Sequence, residues 1–156
     1  MSKRYPEMPM PETTPNNADQ QAVIDLVKRV FSAYQRFDPA QVDQCDDPDC
    51  TIWDLFEPEL VRGGPAARAK FRRKDMADSQ RRGPLHIEIE EPIIVDSWGD
   101  FAVARYYLNY RFEPPGELSG RVRITTVARR VDGRWRRVHH HEGAVPTGRP
   151  PFPASG

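Results

Sequence analysis

The stretch that decides the fold is "RVRITTVARRVDGRWRRVHHHEGAV", residues 121–145. Two runs in which polar and apolar residues alternate flank Asp132-Gly133, a dipeptide suited to reversing a β-chain, so the segment reads as a hairpin. On its first strand Val122, Ile124, Thr126 and Ala128 share one face, against Arg121, Arg123, Thr125, Val127 and Arg129. The second strand carries three consecutive histidines. The turn decides where the middle one points, because a slip of one residue exchanges the faces. A two-residue Asp-Gly loop sets Thr126 opposite His139. A three-residue loop, Asp132-Gly133-Arg134, sets Thr126 opposite His140 and Ala128 opposite Val138. The second arrangement continues the apolar face through Val138 and is preferred. It turns His140 and Glu142 inward and leaves Trp135, Arg137, His139 and His141 on the outer face.

Upstream the same alternation recurs. Residues 101–112 place Ala102, Ala104, Tyr106, Leu108, Tyr110 and Phe112 on one face, and Arg105, Tyr107, Asn109 and Arg111 on the other. Residues 85–91 set Ile87 and Ile89 against His86, Glu88 and Glu90, and "SWGD" turns the chain. The first half of the sequence has helical texture. Val23, Val27, Val30, Tyr34 and Phe37 recur at helical spacing over 18–37, with Asn17 and Gln20 as a capping box. Asp38-Pro39 starts a short helix over 39–46, and Gly-Pro opens a third from Pro65 to Arg82. Between them "CTIWDLFEPELVRG" reads as a strand at 50–56 and a second at 59–62. Three helices followed by an antiparallel meander predict an α+β fold, the helices covering the apolar face of a curved, mainly antiparallel sheet.

A chain of 156 residues is expected to form one domain. Its 23 Lys+Arg balance its 23 Asp+Glu, which leaves no electrostatic footprint for nucleic acid. No segment is apolar and long enough to span a bilayer or act as a signal peptide, so the expected location is cytoplasmic. Cys45 and Cys50 fit neither a redox pair nor half a zinc site and read as reduced, structural thiols. The prolines gather at the ends. Residues 1–16 and 148–156 read as proline-rich arms around a domain spanning 17–147.

His139 and His141 could share an ion from one strand, but a zinc site needs further ligands and only His86 offers itself, so no metal is expected. His140 differs. Its inward neighbours include Tyr106, Tyr110, Thr126 and Glu142, more polar groups than a dry core takes, and convergent polar groups in an apolar setting mark a ligand cavity. The outer face, with Glu88, Glu90 and several arginines, suits a charge-laced surface or a subunit contact, and the contact is preferred.

The helical start, "DCTIWDLFEPELVRG" ahead of a Gly-Pro helix, and the closing "RVRITTV … DGRW … HHH … P" together resemble the nuclear-transport-factor-2-like superfamily. Within it they resemble the SnoaL-like and ketosteroid-isomerase-like proteins, over residues 18–146. The resemblance implies a cone-shaped α+β fold, a homodimer and a pocket for a small hydrophobic molecule, worked without cofactor. Laid on the isomerase pattern without gaps, the general-base aspartate falls on Asp54. The tyrosine that serves there as oxyanion donor falls on Val30, with Tyr34 one turn further on, and the acidic donor has no equivalent beyond Thr125 or Thr126. Glu142 and Gly143 occupy the segment where many relatives carry a serine.

The resemblance thus implies isomerase or lyase chemistry (dehydration or cyclisation) by Asp54, His140 and Tyr106, with Tyr34, Phe31, Phe56, Phe71, Tyr110, Thr126 and Glu142 around the substrate. The alternative it leaves open is a non-catalytic ligand-binding or oligomerisation module. From the residues alone, Asp54 also reads as a strand-end carboxylate that caps a backbone N–H or pairs with Arg62.

Overall fold

The computed structural model describes residues 17–148. The two proline-rich arms, apart from Gly148, lie outside the described residues. The elements follow as α1 (Asn17–Gln35), α2 (Pro39–Gln44), β1 (Asp46–Trp53), α3 (Pro65–Arg82), β2 (Leu85–Ile89), β3 (Ile94–Trp98), β4 (Phe101–Phe112), β5 (Ser119–Val131) and β6 (Arg134–Ala144). This is the α+β layering expected, with three helices against one curved sheet.

The apolar stripe of α1, with Val23, Leu26, Val27, Val30 and Phe31, is buried against Ala102, Ala104, Leu108, Val122 and Ile124 of the sheet. That burial fixes which sheet face is concave and covered. Just past the end of α1 Phe37 takes a positive φ of 53°, while Asp38 N–H bonds back to Ala33 O. Asp38 then caps α2, its carboxylate accepting from Gln41 N–H at 3.1 Å. Gln20, read as half of a capping box, instead sends its amide to Val95 O at 3.1 Å and ties α1 to β3.

The sheet runs β1-β6-β5-β4-β2, with β3 on the same edge of β4 as β2. β2 and β3 act as one edge strand broken at Glu90–Ile93, where Pro92 has no N–H to give. β1 pairs in parallel with β6 and closes the other edge. It starts and stops earlier than the expected 50–56, so Asp54, Leu55 and Phe56 lie just past its end. The strand expected at 59–62 reduces to one bridge, Val61 with Ile52.

The hairpin corrects the turn reading. Val131 pairs with Arg134 around a two-residue turn in which Asp132 and Gly133 both have positive φ, 51° and 74°. A β-bulge between Val127 and Ala128 then takes up one residue, Val138. Ala128 therefore faces Arg137, not Val138, while Thr126 still faces His140. The bulge restores the inward direction of His140 by a different route. The two-residue turn itself sets Arg137 inward, opposite Ala128, where it is buried, and Trp135 packs partly buried against the main core. The outer face keeps His139 and His141 but not Trp135 or Arg137.

That outer face is charge-laced. Arg121 forms a two-pronged bond to Glu90 at 2.8 and 2.7 Å and stacks its guanidinium 3.8 Å from the centre of the Tyr107 ring. Cys45 and Cys50 are buried free thiols. No helix among the described residues is long and apolar enough to cross a membrane.

Candidate functional site

Between α1, α3 and the concave sheet face lies a cavity of about 90 Å³. Its hydrocarbon wall comes from Val30 and Phe31 on α1, Ile52 on β1, Phe71 on α3, Leu108 on β4 and Ile124 on β5. Phe56 and Tyr110 meet edge-to-face at 5.9 Å, and Arg82 stacks over Phe56. Gly120 sits opposite Tyr110, and a Cβ there would meet the phenol oxygen at 2.8 Å, so glycine makes room for the ring.

Three carboxyls reach this apolar space: Asp54 from the end of β1, Asp75 from α3 and Glu142 from β6. Asp54 Oδ2 accepts the Phe56 N–H at 2.8 Å, a turn that holds the side chain in place. Burial, then the charge of Glu142, raises its pKa to about 6. Asp75 is raised to about 6 by burial and then by Asp54, and its Oδ2 accepts the Tyr34 hydroxyl at 2.7 Å. Tyr34 oxygen also lies 2.8 Å from Ser79 Oγ. Glu142 is pushed up chiefly by burial, against the Leu55 N–H, 3.2 Å from its Oε2, and the charge of Arg137. Three carboxyls that resist ionisation around one cavity exchange protons closer to neutral pH than exposed carboxyls do.

Behind Glu142 runs a hydrogen-bonded chain. His140 Nε2 is 3.0 Å from Glu142 Oε1, His140 Nδ1 is 3.1 Å from Thr126 Oγ1, and that oxygen is 3.1 Å from the Tyr106 hydroxyl. Burial, then Arg137, holds His140 well below its ordinary pKa, so the ring is neutral. With Glu142 Oε1 accepting, as a carboxylate or with the carboxyl proton on Oε2, the ring proton lies on Nε2. Nδ1 then accepts from Thr126, and Thr126 from Tyr106. Both ring nitrogens are thus engaged, and Glu142 is the member of the chain that can exchange a proton with the cavity.

The floor holds a second polar cluster. Asp46, at the start of β1, is buried among three arginines. Its Oδ1 takes Arg137 Nε at 2.6 Å, its Oδ2 takes Arg72 Nη2 at 2.9 Å, and Arg68 Nε approaches Oδ2 at 3.9 Å. Arg72 Nε also bonds Asp43 at 3.1 Å.

Residues 23–147 match the model of the SnoaL-like domain family. The chain belongs to the SnoaL-like family. Its fold is that of the nuclear-transport-factor-2-like superfamily, as solved structures show. An NTF2-like protein of unknown function from Pseudomonas putida superposes with a TM-score of 0.72 at 20% identity, covering 85% of this chain and 97% of that one. A proposed ketosteroid isomerase from Shewanella frigidimarina gives 0.66 at 24% identity, covering 78% and 94%. A proposed calcium/calmodulin dependent protein kinase II association domain from Xanthomonas campestris gives 0.66 at 19%, covering 80% and 86%. At such identities these neighbours establish fold alone. No curated protein matches the sequence.

In this SnoaL-like chain Asp54, His140, Glu142, Phe31, Tyr34, Phe56, Phe71 and Tyr110 all line the one cavity. Tyr106 and Thr126 stand behind His140, buried and off the cavity wall. Sequence reasoning missed Arg72, Asp75, Ser79 and Arg137. For α3 the signal was present: Arg68, Arg72, Asp75 and Ser79 repeat at helical spacing, and Arg68, Arg72, Met76 and Ser79 are its buried residues. For Arg137 the bulge erased it.

Proposed function

We propose that this SnoaL-like protein performs cofactor-independent acid–base chemistry on a small hydrophobic molecule, of the isomerase, dehydratase or cyclase kind. The observation that carries the reading is the pair Asp54 and Glu142, two mutually repelling carboxyls in one apolar cavity. Such a pair loses its two protons in separate steps, and between those steps it offers a base and an acid together. Asp54 as carboxylate removes a proton from carbon next to a carbonyl. The C–H electron pair becomes a C=C bond and the carbonyl oxygen takes up negative charge. Glu142, protonated, donates toward that charge or to a departing hydroxyl, which leaves as water. His140, Thr126 and Tyr106 act as positioning residues, fixing Glu142 through the relay.

The test is deuterium exchange. In D2O the protein should catalyse exchange of the protons α to the carbonyl of cyclohex-3-enone, followed by NMR, and Asp54→Asn should cut the rate at least a hundredfold. Equal rates for the two proteins would end the reading.

The reading includes a homodimer through the outer sheet face. Tyr107, Ile94 and Trp98 are exposed there at 42%, 55% and 52%, more apolar surface than an edge strand leaves to water without reason. Light scattering should give twice the chain mass, and Tyr107→Glu should halve it. Two buried reduced cysteines fit a reducing compartment, the cytoplasm. The same exposed aromatics favour the second reading, a ligand-binding or oligomerisation module. It wins if the dimer forms and a bound molecule is released chemically unchanged.

A further inference from the structure

Arg137 lines the cavity with donors to spare. Its side chain is 4% exposed, yet its hydrogen bond among the described residues is the one from Nε to Asp46 Oδ1. Nη1 and Nη2 have no protein acceptor, and the residue lines the cavity. A guanidinium carries five N–H donors in a fixed fork, and terminal nitrogens that meet no protein acceptor at a cavity wall are left to a ligand.

Charge counting points the same way. Arg68, Arg72 and Arg137 are all buried, while Asp46 is the one buried carboxylate they share; Asp43, 40% exposed, meets Arg72 alone. By direct contact three guanidiniums meet two carboxylates, so Arg137 has a single anionic partner, and a buried cation gains from a second.

The other cavity carboxyls make no hydrogen bond to Arg137, although its charge is felt at Glu142. Glu142 bonds His140 and Leu55, and Asp54 bonds Phe56. Arg137 and Glu142 lie five residues apart on β6, roughly 15 Å along the strand at the usual rise. Between them the wall is hydrocarbon: Phe31, Ile52, Leu108 and Ile124.

We propose that the floor of the cavity is a carboxylate subsite. Arg137 takes the two oxygens of a small organic acid with its free terminal nitrogens, and the apolar body of the ligand lies along the wall toward Asp54 and Glu142. The planar fork of arginine matches a carboxylate with two parallel bonds, which a neutral or cationic head group cannot reproduce. The inference deepens the acid–base reading of the same cavity by naming the ligand class, but binding at the floor does not depend on proton transfer at the mouth.

The test compares three near-isosteres, benzoate, benzamide and benzylamine, by calorimetry at pH 7.5. Benzoate is expected to bind at least tenfold more tightly than either of the others. Arg137→Lys, which keeps a cation beside Asp46 but loses the fork, should weaken benzoate at least tenfold and leave benzamide unchanged. In the unsubstituted protein the Arg137 guanidinium nitrogen resonances should move on saturation with benzoate and not with benzamide, a readout that stands even if the variant folds poorly. Benzoate binding is read in the unsubstituted protein independently of deuterium exchange from cyclohex-3-enone, so benzoate that binds where exchange is absent overturns the acid–base reading and leaves the subsite standing. Benzamide or benzylamine binding as well as benzoate, benzoate failing to bind, or Arg137 resonances that stay still would overturn the proposal.

Discussion

His140 Nε2 lies 3.0 Å from Glu142 Oε1, two residues along the same strand, and both side chains leave β6 on its concave face. The contact is a hydrogen bond and not an ion pair, because burial keeps the imidazole neutral. It fixes the ring from one side while Thr126 fixes it from the other.

This arrangement predicts a single tautomer. Nitrogen-15 spectra of His140 should show a protonated Nε2 and a bare Nδ1 at pH 7.5. The ring should stay neutral on acidification until the protein unfolds. A ring that titrates near pH 6.5 in the folded state would mean that the site is wetter than its geometry. The linkage has a definite sign. A histidine whose folded pKa is depressed leaves the unfolded chain holding more protons, so stability is lost as pH falls through about 6.5.

Asp54 has the opposite sign. Its folded pKa is raised to about 6 from an ordinary value near 4, so between those values the folded state holds the extra proton and stability falls as pH rises. Asp54→Asn should therefore stabilise the protein at pH 7 by about 1–2 kcal/mol, a moderate figure because the carboxyl is partly wet. The gain should vanish below about pH 4. Urea denaturation at the two pH values measures it. A carboxyl retained against stability is expected where a reaction needs it.

The floor cluster predicts an asymmetry. Removing the shared anion with Asp46→Asn strands three buried guanidiniums and should cost about 3–5 kcal/mol. Arg68→Met should cost less, about 1–2 kcal/mol, because it loses one bond, from Nη1 to Pro48 O at 2.7 Å, while Arg68 Nε is buried without a partner among the described residues and lies 3.9 Å from Asp46. Equal losses for the two variants would show that Arg68 carries more of the cluster than its distances allow.

The relay gives a smaller effect. Thr126→Val keeps the shape but leaves the Tyr106 hydroxyl and His140 Nδ1 without their common partner. The cost should be about 1–3 kcal/mol. The His140 ring should also lose its single tautomer in the nitrogen-15 spectrum.

Layers, helices and the sheet face that holds the core were legible because each depends on a repeat that survives small errors. The α1 stripe tolerates a shift of its ends, and the alternation of β4 and β5 needs no knowledge of the turn. The third inward position on β6 was not legible. The Asp-Gly turn obeys its local preference and uses two residues, and the bulge at Val138 then restores the register that Thr126 and His140 require. Local turn chemistry and cross-strand packing each had their way, one residue apart, and Arg137 went inward between them. A bulge leaves no composition signal, so the floor cluster could not be read from β6. Its other half, on α3, could have been, had charged residues at helical spacing been given the weight of apolar ones.

The central claim is that Asp54 and Glu142 share one cavity and titrate as a pair. Carbon-13 NMR of their side-chain carboxyls, followed from pH 3 to pH 9, tests it most directly. The account predicts displaced, mutually dependent curves, with the Asp54 midpoint near 6 and moving down in Glu142→Gln while burial keeps it above the ordinary carboxylate value. Two independent curves at ordinary carboxylate values, unaffected by that substitution, would contradict it.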